Sequence, residues 1–365
     1  MLPLSPAPTL VFVKAALATR HVGPLESCMT FTPATGAWPN PRGNDMAKYR
    51  HALSQLRGDF FLTDGGIETT LIFLEGLDLP HFAAFHLFRT SHGEDSLRKY
   101  FRTYAELAQR HHTGLVLETA TWRASADWGD KLGYTADALA EVNRKSVGLL
   151  EEIRDEYETP ETPIVISGCV GPRGDGYVPT NLMSEQQAED YHGAQIQTFA
   201  ATAVDLVTAI TMNYAEEAIG LARAAKRSGL PVVISITVEI DGKLPTGHSL
   251  GDAIKQIDDA TSGYPSYFMI NCAHPTHFSG VIDGNEPWAN RIHGLRANAS
   301  KMSHAELNES PVLDAGDPET LGQNYAELKR QKLKYLNVFG GCCGTDHRHI
   351  DQMALACLPL FRGAA

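Results

Sequence analysis

The sequence predicts a single-domain α/β protein, a (β/α)8 TIM barrel with an irregular N-terminal extension, and three observations carry that reading. From Met46 onward short apolar, β-rich runs alternate with longer stretches of helical period, the pattern of βα units around a parallel sheet. Eight such runs can be counted, and about 250 to 300 residues is the usual span of an eight-stranded barrel. No GxGxxG or GxxxxGK[ST] stretch occurs, although an open doubly wound sheet normally advertises a phosphate loop.

The strand candidates in order are Phe60–Thr63, Leu115–Glu118, Ile164–Ser167, Leu206–Ile210, Val232–Thr237, Tyr267–Asn271, Ile292–Arg296 and Leu336–Phe339. The helices between them are Asp95–His111, Ala136–Tyr157, Ser184–Val204, Ala215–Ser228, Ser249–Ala260, Pro318–Gln331 and Asp346–Leu358. Ser184 followed by Gln187 reads as a capping box. The connection after Tyr267–Asn271 is the least helical of the set.

Composition narrows the function. The chain has 365 residues, 43% hydrophobic and 20% charged, with a formal charge of −12, which argues against nucleic acid or an anionic membrane as partner. No run approaches the ~18 apolar residues of a membrane helix. Six cysteines are too sparse for a disulfide scaffold and suit a reducing, cytoplasmic setting. Residues 1–45, rich in Pro, Ala and Thr and without an acid before Glu26, read as a disordered or loosely packed arm, a weak targeting segment, or sequence upstream of a natural start at Met46. The barrel domain is expected over residues 46–365.

In a barrel the active site lies where the C-terminal strand ends meet. Reading the residues after each run gives "TDGG" (Thr63–Gly66), "ETAT" (Glu118–Thr121), "SGCVGPRGDGY" (Ser167–Tyr177), "TMN" (Thr211–Asn213), "TVE" (Thr237–Glu239), "NCAHPTHF" (Asn271–Phe278), "ANAS" (Ala297–Ser300) and "GGCCGT" (Gly340–Thr345). Cys272 therefore ends the sixth strand, and Cys342 with Cys343 ends the eighth. Adjacent cysteines do not readily bridge each other, because a trans peptide holds their Cα atoms ~3.8 Å apart where a disulfide wants ~5.5 Å. They need another partner. Three thiols on one rim suit a soft tetrahedral cation, Zn2+ first, and three protein ligands leave the open position that marks a catalytic site.

Three thiolates around zinc give a net charge of about −1, a poor setting for making hydroxide and a good one for a fourth sulfur. The reaction class that fits is methyl transfer from an activated donor to a thiol held as thiolate. A zinc hydrolase using metal-bound water, and a non-catalytic zinc- or thiol-binding barrel, are the alternatives. No HExxH or multi-His cluster supports the hydrolase.

The residues from Phe60 to Leu358 resemble the homocysteine S-methyltransferase family of zinc-dependent barrel enzymes. The likeness rests on "GGCCGT", on "NC" about seventy residues upstream, on "DGG" at the first strand, and on "GPRGDGY" and "ANAS". It implies Cys272, Cys342 and Cys343 as metal ligands, Zn2+ as cofactor, and a small-molecule thiol with a methyl donor as partners, in a possible homo-oligomer. It further implies Asp64, Gly65 and Gly66 as the loop bordering the substrate, with Asn271 and Asn298 in the pocket. Family members that use homocysteine commonly place a Glu at the end of strand four, in a segment like "ETIPN". This chain reads "AITMNYAEEA" and sets Ile210 or Thr211 there, so the acceptor is another thiol or its amino group is met elsewhere, for instance by Glu118 or Glu239.

Several further residues carry plainer expectations. Cys169, Cys357 and Cys28 read as core, helix and tail residues, while His274 and His277 shape the pocket entrance or bind donor, and His347 and His349 open the last helix in a solvated or capping role. His111 and His112 favour a helix C-terminus. Arg173 and Asp175 belong to a turn that either orients a charged ligand or is turn chemistry alone. Glu239–Leu250 is either a lid or a surface excursion. Trp122, Trp128 and Tyr177 are rim aromatics able to stack on a methylated cation.

Overall fold

The computed structural model describes residues 47–361. The predicted boundary at Met46, the extension over 1–45 and Cys28 lie outside those residues. The chain closes into a barrel of eight parallel strands in sequence order, β1 Phe61–Leu62, β2 Gly114–Glu118, β3 Ile164–Val170, β4 Leu206–Met212, β5 Val232–Thr237, β6 Tyr267–Asn271, β7 Ile292–Ala297 and β8 Val338–Gly341. Closure is made by the shortest strand, in which Phe61 and Leu62 pair with Gly114 and Leu115 on one side and with Val338 and Phe339 on the other.

Two apolar layers explain why the strands read as continuous runs. Phe61, Val116, Val165, Leu206, Val233 and Val338 point into the cylinder, while Leu62, Leu117, Ile166, Ile234, Ile270 and Phe339 pack outward under the helices. A strand buried on both faces has no polar alternation to show. Helices occupy Ser91–His111, Ala136–Tyr157, Glu185–Ala200, Ala215–Arg227, Leu250–Thr261, Pro318–Gln331 and His347–Cys357. The capping box at Ser184 is present, and the helix expected from Asp95 begins four residues earlier because the Thr90 hydroxyl accepts from the Gly93 N–H and caps it there. Between β6 and β7 the chain makes only the four-residue helix Pro275–Phe278 and short 3-10 turns.

Strand ends differ from the sequence reading where residue type is a poor guide. The last strand was expected to stop at Phe339, yet Gly340 and Gly341 continue the ladder against Arg296 and Ala297. Strand three runs on through Gly168 and Cys169 to Val170. Among the described residues no helix is long and apolar enough to cross a membrane.

The N-terminal end of the barrel is stoppered by the segment before β1. Leu53 and Tyr49 pack on the lower layer of interior side chains, and Arg50 donates to the carbonyls of Thr202 and Val204, each at 2.8 Å. Asp205, fully buried, accepts from the Tyr49 N–H at 2.6 Å, the Ile166 N–H at 2.8 Å and Arg154 Nη1 at 3.1 Å. Removing one partner of a buried ion pair leaves the other charge uncompensated. Asp205→Ala is expected to lower the unfolding free energy by about 3–5 kcal/mol in urea titrations followed by circular dichroism; a loss below about 1 kcal/mol would show this stopper to be dispensable.

Candidate metal centre and the barrel mouth

Cys272 follows β6 with φ at +54°, in the left-handed region, and is almost fully buried. Cys342 and Cys343 follow β8 directly, and the three sulfurs lie within 4.8 Å of one another. The vicinal pair does not bridge internally. The Cys342 sulfur is in bonding contact with that of Cys272, with Cα atoms 5.4 Å apart, while Cys343 is a free thiol. The donor set is therefore all sulfur and gathered tightly enough to share one soft cation.

Backbone hydrogen bonds fix these positions. The Cys342 N–H donates to the Ala297 carbonyl at 2.8 Å, the Cys272 N–H to the Arg296 carbonyl at 3.0 Å, and the Ala299 N–H to the Cys343 carbonyl at 3.1 Å. The Cys342 carbonyl accepts from the Thr345 hydroxyl at 2.7 Å. Gly344 turns the chain at φ +80° and donates to Thr69 Oγ1 at 3.2 Å. Gly66 packs so closely that a Cβ there would collide with the Cys342 carbonyl oxygen. The "DGG" and "GGCCGT" segments are thus one interlocked unit.

Beneath the thiols lies a buried ion network. Arg296 Nη1 donates to Glu118 Oε2 at 2.7 Å, Nη2 lies 2.7 Å from Asp64 Oδ1 and bonds the Gly65 carbonyl at 3.2 Å, and Nε donates to the Gly341 carbonyl at 3.1 Å. The Tyr100 hydroxyl donates to Asp64 Oδ2 at 2.9 Å. Burial lifts the Glu118 carboxyl above its ordinary range against the opposing pull of Arg296. Burial alone would lower Arg296, but Asp64 and Glu118 together hold its guanidinium firmly charged.

The other predicted pocket residues divide. Asn271 spends its amide inside the barrel, accepting from the Thr211 N–H at 3.0 Å and Ser235 Oγ at 2.6 Å and donating to Thr211 Oγ1 at 2.9 Å. Asn298 donates to the Cys272 carbonyl at 3.0 Å, and its buried Oδ1 has no partner among the described residues. Ile210 packs with Cys169 and Trp122 in the barrel interior, and Trp122 Nε1 donates to its carbonyl at 3.3 Å. An apolar contact stands where a strand-four carboxylate was sought. Glu239 is 3.1 Å from His304 Nδ1.

His304 was missed in the sequence, as were Arg296, Glu68 and Arg123. Its Nε2 meets the Cys272 carbonyl at 2.5 Å and its ring lies 4.1 Å from that of Tyr177, whose hydroxyl rests against the Cys343 sulfur. Arg296 had a signal: it is a charged residue next to the end of an apolar strand, and it is itself buried there. Glu68 sits two residues past Gly66, and burial raises its carboxyl to about 7. Burial pushes the Cys343 thiol up to about 11, with Glu68 adding to the rise and Tyr177 opposing it.

The histidines after Cys272 stay outside the sulfur cluster. His274 caps the Pro275–Phe278 turn by accepting from the Thr276 N–H at 3.2 Å, and burial, then His277 and Lys301, lowers it to about 4. His277 bonds the Lys301 carbonyl at 2.9 Å. His349 belongs to the Asp346 capping box, whereas His111 pairs with Asp351 at 2.7 Å. Asp175 accepts from the Tyr177 and Val178 N–H groups and so sets Tyr177 in place, while Arg173 pairs with Asp127 at 2.8 Å on the surface. The stretch from Glu239 folds into a small hairpin in which Lys243 and Ser249 form an antiparallel bridge.

Comparison with known proteins follows the same lines. The profile described as homocysteine S-methyltransferase matches residues 61–357. Methionine synthase of Mycobacterium leprae (strain TN) is 25% identical over 272 residues, covering 71% of this chain and 20% of that one. Betaine–homocysteine S-methyltransferase 1 of Rattus norvegicus is 25% identical over 270 residues, 67% of this chain and 61% of that one. The chain thus spans only a fifth to about three fifths of these relatives. Among solved structures, the metallated form of the homocysteine methyltransferase MmuM from Escherichia coli superposes with a TM-score of 0.64 at 18% identity over 83% of this chain and 99% of that one, a likeness of fold. Its oxidized form gives 0.65 over 86% and 99%, again at 18% identity.

A carboxyl raised on folding favours the fold while protonated, so its contribution is complete below the unfolded value and fades as pH rises through the folded one. The metal-free protein is expected to lose stability between about pH 4.5 and about 7 through Glu68. Thermal unfolding across that window should show a shallower decline in Glu68→Gln; an unchanged slope would show that Glu68 does not titrate as placed.

Proposed function

This chain belongs to the homocysteine S-methyltransferase family, and we propose on that footing that it is a zinc-dependent methyltransferase acting on a thiol. The acceptor is homocysteine, giving methionine, or a close relative, and the donor is a small molecule carrying an activated methyl group. One observation carries the reading: three cysteine sulfurs within 4.8 Å of one another at the C-terminal rim of the barrel, in the place where such folds do their chemistry.

Cys272, Cys342 and Cys343 would hold the ion. Bound there, zinc supplies a soft Lewis acid that favours the thiolate form of an incoming thiol near neutral pH. The chain's own residues do the rest by placement. His304 and Asn298 hold the Cys272 carbonyl, so the left-handed turn that aims its sulfur is fixed from two sides. Tyr177, tilted against the His304 ring, lies beside the Cys343 thiol, where it would narrow the approach of a donor. Transfer is then a displacement: the acceptor sulfur forms its bond to the methyl carbon as the bond from that carbon to the donor heteroatom breaks, and the donor departs with the electron pair. No protein nucleophile is required. Holding the ion requires Cys272 and Cys342 in their reduced form, which calls for a reducing, cytoplasm-like compartment.

Cys342→Ala and Cys343→Ala are each expected to abolish zinc retention and methyl transfer while leaving far-UV circular dichroism unchanged; either variant turning over at the wild-type rate without metal would sink the proposal. Zinc absorption-edge spectra with and without homocysteine separate the alternatives. A new Zn–S contact supports thiol methylation, retained Zn–O supports a hydrolase, and an unaltered spectrum supports a non-catalytic zinc-binding barrel.

A further inference from the structure

Resting on that thiol-transfer reading, we propose that Glu68 and Arg123 form a clamp for an amino-acid thiol, Glu68 receiving its α-ammonium and Arg123 its α-carboxylate. The acceptor class would then be a zwitterionic thiol, recognised from the β1 and β2 side of the mouth rather than from β4.

Elimination leads to Glu68. Asp64 and Glu118 are committed to Arg296, Glu239 to His304, and Asp175 to the N–H groups of its own turn. At β4 the apolar Ile210 lies beside Trp122. Glu68 makes no ion pair and no hydrogen bond to another side chain among the described residues, and its carboxylate accepts only from its own backbone N–H. It is held beside the thiols by its neighbours, since Thr69 accepts from the Gly344 N–H at 3.2 Å and the Gly66 N–H donates to the Thr345 carbonyl at 3.0 Å. Its charge bears on Cys343 and, after that of Asp175, on Arg123.

Arg123 is prepared in a complementary way. Its guanidinium carbon lies 3.8 Å from the Trp128 ring centroid and 4.8 Å from that of Trp122. Its buried Nε has no hydrogen-bond partner, and no ion pair engages the group among the described residues. A guanidinium fixed by its aromatic faces keeps its edge donors free for a carboxylate, which it grips through paired N–H groups. Glu68 and Arg123 thus offer opposite charges, close enough to influence one another and joined by no direct bond, as the head group of an amino acid requires.

Calorimetric titration of the zinc-loaded protein with four thiols tests this: homocysteine, mercaptobutanoate lacking the ammonium, aminopropanethiol lacking the carboxylate, and propanethiol lacking both. Wild type is expected to prefer homocysteine over each singly charged analogue by at least about tenfold. Glu68→Gln should erase the preference over mercaptobutanoate alone, and Arg123→Met the preference over aminopropanethiol alone, with zinc content and propanethiol affinity unchanged in both. Unchanged ratios, or equal losses for all four thiols, overturn the clamp while thiol binding stands. Failure of wild type to bind any of the four overturns the thiol reading itself, and the clamp with it.

Discussion

Arg296 is the constraint on which the mouth of this barrel depends. Its carbonyl receives the Cys272 N–H, its Nε holds the Gly341 carbonyl just before Cys342, and its guanidinium reaches Asp64, the Gly65 carbonyl and Glu118. One side chain therefore ties β1, β2, β7 and β8 together and sets both halves of the sulfur cluster on a common base. Such a network is costly to desolvate, and the bonds of Arg296 to Glu118 and to the Gly65 and Gly341 carbonyls offset that cost. Two carboxylates share one guanidinium, and burial draws one of them, Glu118, toward its protonated form, which limits the negative charge beneath the thiols.

How much of this was legible in the sequence follows from the range of each interaction. Strand and helix periods are local, and the barrel could be counted from them. Ser184 with Gln187 is a local cap, and Cys342 beside Cys343 is a local pattern whose sulfurs the fold brings within 4.8 Å of that of Cys272. The Arg296 network was not legible, because Asp64 and Glu118 lie far away along the chain and meet it only when the barrel closes. Glu118 was read as a group free to meet an ammonium, and the structure gives it a partner instead. Glu68 was passed over because two residues after a glycine turn it looks like an ordinary helix-opening acid; only the packing of Gly66 on Cys342 brings it beside the thiols. Asn271 was read as a pocket residue, and its amide turns out to be a strut holding Thr211 at φ +67°.

The two ends of the cylinder divide the work. At the N-terminal end Asp205 has every partner it needs and residues 49–53 close the bore. At the C-terminal end, among the described residues, Glu68 has no ion pair, and Arg123 Nε and the Asn298 oxygen have no hydrogen-bond partner. Unpaired buried oxygens also occur at the other end, on Gln55, Thr113, Thr162 and Asn337, so an orphaned group lowers stability at either end, and only those at the mouth face the thiols.

The left-handed backbone at Cys272 sets comfort against use. A residue bearing a Cβ is disfavoured at that φ, and glycine would relax the turn, yet glycine has no sulfur to offer. A directed-evolution campaign scored on heat tolerance alone would be drawn toward replacing this cysteine, and would select sturdier barrels that had given up one of the three sulfurs at the mouth.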